Sequence, residues 1–254
     1  MAVTTIVGHD HAQANPRRLR QVPRMQLDAL VIAPHPDDAE LGMGGTIARM
    51  LADGMAVGVL DLTDGEPTPR GSRELRARES AEATAVLGIP WREQAGLPNR
   101  SLEATLAARA VVAGVIRRTR PRWLFAPHWQ DAHPDHLAAT TLAEAARFWA
   151  KLTKTDLPGE PFHPRRIFYY PCVHLQIVDP PAFVVDVTDT WDLKLQSLRC
   201  YASQFPPPSG DGPPGVLERV EAAAAWWGAS IGCRHGEAFY AREPVGLTGL
   251  GLLR

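Results

Sequence analysis

The feature that most constrains this chain is an alternation of short apolar runs with longer amphipathic stretches. LDALVIA (27–33), MAVGVLDLT (55–63) and RWLFAP (122–127) have the length of strands and read as strands buried on both faces. Between and after them lie TIARMLADG (46–54), RELRARESAEATAVLG (73–88), LEATLAARAVVAGVIRRTR (102–120) and LAATTLAEAARFWAKL (137–152), which read as helices. Gly54 and Gly88 are placed to close the first two, and basic residues end the third, where they complement the helix dipole. Such alternation predicts a parallel, doubly wound sheet with helices on both faces. The second half is less regular. A short strand is expected within 91–97, and further strands at RRIFYYPC (165–172) and AFVVDVT (182–188). Helices are expected over 189–205, capped by Asp189, and over 216–232, with a loop at the Pro-rich 205–215.

Two polar clusters interrupt this pattern. PHPDDAELG (34–42) directly follows the first strand and crowds His35, Asp37, Asp38 and Glu40 into one turn. HWQDAHPDH (128–136) directly follows RWLFAP and adds further imidazoles and carboxylates. In open parallel sheets ligands bind beyond the carboxyl ends of the strands, so both clusters belong to one functional edge. A catalytic zinc site takes three nitrogen or oxygen ligands and keeps a position open. His35, Asp38, His133 and His136 are four candidates at spacings of three. Taken singly, an Asp-Asp pair at a helix start is usually a cap, and a lone H-x-x-H is usually incidental. Two such clusters at the same end of two strands favour a metal. The glycines of GMGG (42–45) do not make a dinucleotide fingerprint: the third glycine position falls on Ile47, and Gly42 lies too far from the strand end.

Charge and cysteine usage narrow the class of partner. A formal net charge of −1 calls for neither nucleic acid nor an anionic membrane, which leaves a small molecule as the natural ligand. Cys172, Cys200 and Cys233 are odd in number and widely spaced, so a disulfide framework is not expected, and a reducing, cytoplasmic setting is. No apolar stretch reaches the length of a membrane span. Residues 1–25 read as a poorly ordered extension without a signal peptide, and 26–254 as one domain.

PHPDDAELGMGGTIA and WQDAHPDH resemble the two signature motifs of the PIG-L/LmbE-like N-acetylglucosaminide deacetylases. The similarity extends over DLTDGE, the helix 76–89, LPNRSL, FYYP, FVVDVTDT and YASQF, and is nearest to the bacillithiol-pathway branch acting on N-acetylglucosaminyl malate. The resemblance implies a Rossmann-like, LmbE-like α/β fold and one Zn2+ per chain held by His35, Asp38 and His136. It implies Asp37 as general base, His133 as oxyanion stabiliser and acid, and Asp135 as the residue orienting His133. Arg76 matches a substrate-contacting arginine, and a homo-oligomer, hexameric in the bacillithiol branch, is implied as well. Two departures bear on substrate: Asn99 stands in the family's L-P-D turn, next to Arg100, and His235 stands where a tyrosine is common. With Trp129, inside the second motif, these residues form the expected sugar-binding set. The alternatives are deacetylation of another N-acetylated sugar or glycoconjugate and, from a different class, a metallophosphoesterase, which needs additional carboxylates for two metals.

Overall fold

The computed structural model describes residues 25–206 and 212–249. The expected N-terminal extension lies almost wholly outside the described residues. Five parallel strands form the main sheet: β1 (Ala29–Ala33), β2 (Val57–Asp61), β3 (Trp91–Gln94), β4 (Trp123–Pro127) and β5 (Arg166–Tyr170), in the order β3-β2-β1-β4-β5. The strand order reverses between β1 and β4, the two strands that carry the polar clusters. That switch point is where connections leave to either side and open a crevice.

The pleat of β1 divides the core. Leu30 and Ile32 face one helical layer, packing with Val112 and Ile116 of α3 (Leu106–Thr119) and Leu142 and Ala146 of α4 (Pro134–Ala150). Ala29, Val31 and Ala33 face the other and meet Met43 and Ile47 of α1 (Asp38–Ala52). A fourth helix, α2 (Arg73–Leu87), ends at Gly88 in the left-handed region as expected, and Pro134 occupies the first turn of α4. Its buried stripe is unusual: Arg76, Glu79 and Ser80 accompany Ala83 and Leu87, so its inner face is largely polar.

Four boundaries differ from expectation. The first helix begins at Asp38 rather than residue 46, taking the polar motif into its first turn, with non-helical dihedrals at Met43 (φ −151°, ψ 24°). The third begins at Leu106, where the Thr105 side chain accepts the Ala108 N–H and fixes the start. The helix expected over 189–205 is α5 (Trp191–Arg199), preceded by a 3-10 turn (Thr188–Thr190); Asp189 lies inside that turn and provides no cap. The last helix, α6, runs Val216–Ser230. Finally, β6 (Phe183–Asp186) pairs antiparallel with β7 (Gly236–Phe239), a strand without apolar alternation that exists through this pairing. An antiparallel bridge between Tyr169 and Tyr240 ties this two-stranded sheet to the main one. No helix among the described residues is long and apolar enough to cross a membrane, and no disulfide joins the three cysteines.

Candidate metal centre and active site

β1 ends at Ala33, and the chain turns sharply through Pro34–Asp37 into α1. Asp37 carries the strain of that turn with φ 123°, a conformation that non-glycine residues hold only at a cost of about 1–3 kcal/mol. Although it stands at the N-cap of α1, its side chain makes no capping bond. Its Oδ2 instead accepts from Arg76 Nη2 at 2.8 Å, across from α2. Burial pushes the Asp37 carboxyl up to about 7, with the Arg76 guanidinium pulling the other way.

Asp38 binds inward. Its Oδ2 accepts the His35 backbone N–H at 3.0 Å, lies 3.0 Å from His35 Nδ1 and lies 3.3 Å from His136 Nε2. His35, Asp38 and His136 are all buried and offer ligand atoms within 4.8 Å of one another. Burial alone would raise the Asp38 carboxyl, yet the imidazoles, His136 foremost, hold it well below the usual range. Burial alone would lower His35 and His136, but Asp38, joined by Asp37 at the first and by Cys172 and Asp131 at the second, raises both. The trio thus stabilises positive charge at one buried point. His136 Nε2 makes no hydrogen bond there, although Asp38 Oδ2 approaches to 3.3 Å. Two imidazoles, one carboxylate and an orphaned buried nitrogen are a donor set suited to a divalent metal such as Zn2+.

The second motif is held by its own carboxylates. Asp131 accepts the His133 N–H at 2.8 Å and lies 3.0 Å from His136 Nδ1, orienting the ring from behind. His133 caps α4, and its Nδ1 accepts the Asp135 N–H at 3.1 Å, so in the neutral ring the proton sits on Nε2. Burial and the neighbouring His136, His35 and His174 lower its pKa. The Asp135 carboxylate is not turned to His133 as the resemblance implied. It accepts from the backbone of Arg100 (2.7 Å) and Leu102 (3.1 Å) and lies 3.2 Å from His35 Nε2, because the loop after β3 wraps onto the start of α4.

A cavity of about 600 Å³ opens over this cluster. Of the expected substrate contacts, Arg76, Asn99 and Arg100 line it, and Arg76 Nε and Nη1 and Asn99 Oδ1 are buried without partners. Trp129 and His235 do not line it. Trp129 stacks on His128 at 4.1 Å beneath the Arg242 guanidinium, as part of the packing around β5. His235 precedes β7, whose pairing with β6 stacks its ring on Trp191 at 4.4 Å. His174 lines the cavity unforeseen, its ring 5.2 Å from His133 and 5.1 Å from His136. It follows β5, and the strand-end rule that found the other clusters applies equally to that neighbouring strand.

Comparison with known proteins agrees with this geometry. Residues 30–147 match the PIG-L family, described as GlcNAc-PI de-N-acetylase. A diacetylchitobiose deacetylase of Thermococcus kodakarensis is 31% identical over 193 residues, 70% of each chain. This chain belongs to the PIG-L family. The crystal structure of the conserved protein TT1542 from Thermus thermophilus superposes with a TM-score of 0.80 at 42% identity, covering 88% of this chain and 98% of that one. A 4-oxalmesaconate hydratase of Pseudomonas putida is 27% identical over 217 residues, 79% of this chain and 81% of its own. A PIG-L relative named for an L-malate glucosaminide matches at 28%, so the bacillithiol branch is not set apart from the others. At the level of the family, the chain is a metal-dependent N-deacetylase of N-acetylated sugars, with the cluster such chemistry requires.

Proposed function

We propose that this protein hydrolyses the N-acetyl amide of a small glucosaminide, using one Zn2+ held by His35, Asp38 and His136. The observation that carries the reading is the juxtaposition of the His35–Asp38–His136 trio with a buried, strained Asp37 whose carboxylate caps no helix and is held instead by Arg76. A bound metal supplies Lewis acidity, polarising the amide carbonyl and acidifying water. The rest falls to the protein. Asp37 takes a proton from the attacking water at its carboxylate, and Arg76 holds that carboxylate in place. His133, which lines the cavity and carries its proton on Nε2 because Nδ1 is an acceptor, stabilises the developing oxyanion. The proton that Asp37 took is returned to the nitrogen as the C–N bond breaks, releasing acetate and the free amine, while the single Nε2 proton of the neutral His133 ring stays hydrogen-bonded to the oxygen. Arg76, Asn99 and Arg100, which line the cavity, are the side chains to which this reading gives the sugar hydroxyls.

Family membership favours this chemistry over a metallophosphoesterase. N-acetylglucosaminyl malate and diacetylchitobiose are the first substrates to assay, and a homo-oligomer is part of the same proposal, measured by light scattering. The test is acetate release by metal-loaded protein, together with Asp37→Ala, which keeps its metal and loses turnover. Undiminished turnover in that variant removes Asp37 from the base role, and no acetate from any N-acetylglucosaminide refutes the reading. The similarity to a hydratase gives the second reading; loss of 4-oxalmesaconate absorbance without acetate release from any amide supports it.

A further inference from the structure

The cleft holds more than an acetamido sugar requires. Its volume of about 600 Å³ lies well within the range of about 300–1,000 Å³ of clefts that enclose drug-sized ligands. Part of its wall is apolar: Leu41, Val173, Phe205 and Val216 line the same cavity as His35, Asp37 and His133. These four come from separate places in the chain: Leu41 from the first turn of α1, Val173 after β5, Phe205 after α5, and Val216 at the start of α6. They form one surface because all four belong to or pack on the same small core around Val187, Trp191 and Leu198.

That surface is anchored. Glu79, on the polar inner face of α2, accepts both the Ser203 N–H (2.8 Å) and the Ser203 hydroxyl (2.7 Å), pinning the turn that carries Phe205. The Phe205 N–H donates to Tyr201 O at 3.0 Å, and the Tyr201 hydroxyl donates to Glu40 at 3.0 Å, inside the first motif. Leu41 is bound to Asp37 O through its own N–H at 2.8 Å. The catalytic carboxylate and the apolar wall are therefore held in fixed relation, and a sugar whose amide reaches Asp37 brings its substituents against that wall.

Resting on the deacetylase reading above, we propose that the substrate carries a hydrocarbon group, aryl or alkyl, beside its N-acylated amino sugar, and that Leu41, Val173, Phe205 and Val216 receive it. The same chemistry comes from an apolar aglycone or from an acyl chain longer than acetyl. One buried methylene is worth about 10–200-fold in kcat/KM, so the effect is measurable.

The experiment compares kcat/KM of the metal-loaded protein on the methyl, phenyl, octyl and L-malate glycosides of N-acetylglucosamine, and on N-butanoylglucosamine beside N-acetylglucosamine. A phenyl or octyl preference over methyl of about tenfold or more assigns the wall to the aglycone. An equal preference for butanoyl over acetyl assigns it to the acyl chain. In either case Phe205→Ser and Val216→Ser shrink the preferred ratio. Rates flat within about twofold, or the L-malate glycoside ahead of all others, overturn the proposal. If no glycoside is hydrolysed, the deacetylase reading fails, and calorimetry on Asp37→Asn protein decides the wall separately. Phenyl glycoside bound tighter than methyl upholds it, and equal binding overturns it.

Discussion

Asp37 and Asp38 stand where carboxylates ordinarily cap a helix, and their side chains are engaged elsewhere. Asp37 is committed to Arg76 and Asp38 to His35 and His136. A base works deprotonated, so turnover through Asp37 is lost as pH falls through its pKa. The acid limb of kcat/KM is expected at or below the value of about 7 set by burial and Arg76, because a bound cation lowers it further. Arg76→Gln removes a positive neighbour and moves that limb to higher pH; a pH-rate profile with an unmoved limb assigns it to another group. Behind His136, Asp131 supplies the carboxylate partner that ligating imidazoles usually have. Asp131→Asn is expected to weaken metal binding about 10–100-fold, read by chelator competition on the apo-protein. His35, Asp37, Asp38, His133 and His136 could all be picked out by residue type and spacing. His174 has no partner at such a spacing, and its only signal in the chain is its position after the strand β5.

At the scale of elements, α1 explains the glycines that sequence spacing left without a role. A side chain at Gly42 would overlap the ring of Tyr170, which is buried and tied to Ile32 O, and one at Gly45 would meet Val187 Cβ at 2.8 Å. The glycines let the motif helix lie close to β5 and to the segment leading into α5. Gly42→Ala is expected to cost about 1–3 kcal/mol in denaturant unfolding, the usual penalty of overpacking. The break at Met43 exposes backbone groups in mid-helix, and a buried ion pair satisfies them. Glu237 of β7 accepts the N–H groups of Gly45 (3.0 Å) and Thr46 (2.7 Å), while Lys194 of α5 donates to Leu41 O and to Glu237. Glu237→Gln strands the ammonium and is expected to cost about 3–5 kcal/mol. The double variant Lys194→Met/Glu237→Gln is expected to lose less than the sum of the single losses, measured by a thermodynamic cycle. Neither the kink nor β7 could be read from the chain, because both depend on partners distant in sequence.

For the whole molecule, the strand order β3-β2-β1-β4-β5 places both motif-bearing strands side by side at the switch point. The cluster is thus assembled only in the folded state, and metal binding is coupled to folding. At a free metal concentration of 100 times Kd the gain is about 2.7 kcal/mol. For a protein of this size each kcal/mol shifts Tm by roughly 2–4 °C. Zinc is therefore expected to raise the Tm of the wild-type protein and to leave His136→Ala nearly unchanged, by calorimetry with and without chelator. The amino-acid sequence alone determined the parallel α/β class and the two polar strand ends, because these are written in local periodicity and spacing, whereas the roles proposed for metal binding and proton transfer came from the resemblance of the two motifs. Tertiary structure decided the rest. It turned Asp135 toward His35, withdrew Trp129 and His235 from the cavity, brought His174 to it and gathered an apolar wall from four distant places. Such outcomes depend on how strands pair and helices pack, and a local pattern contains no information about either.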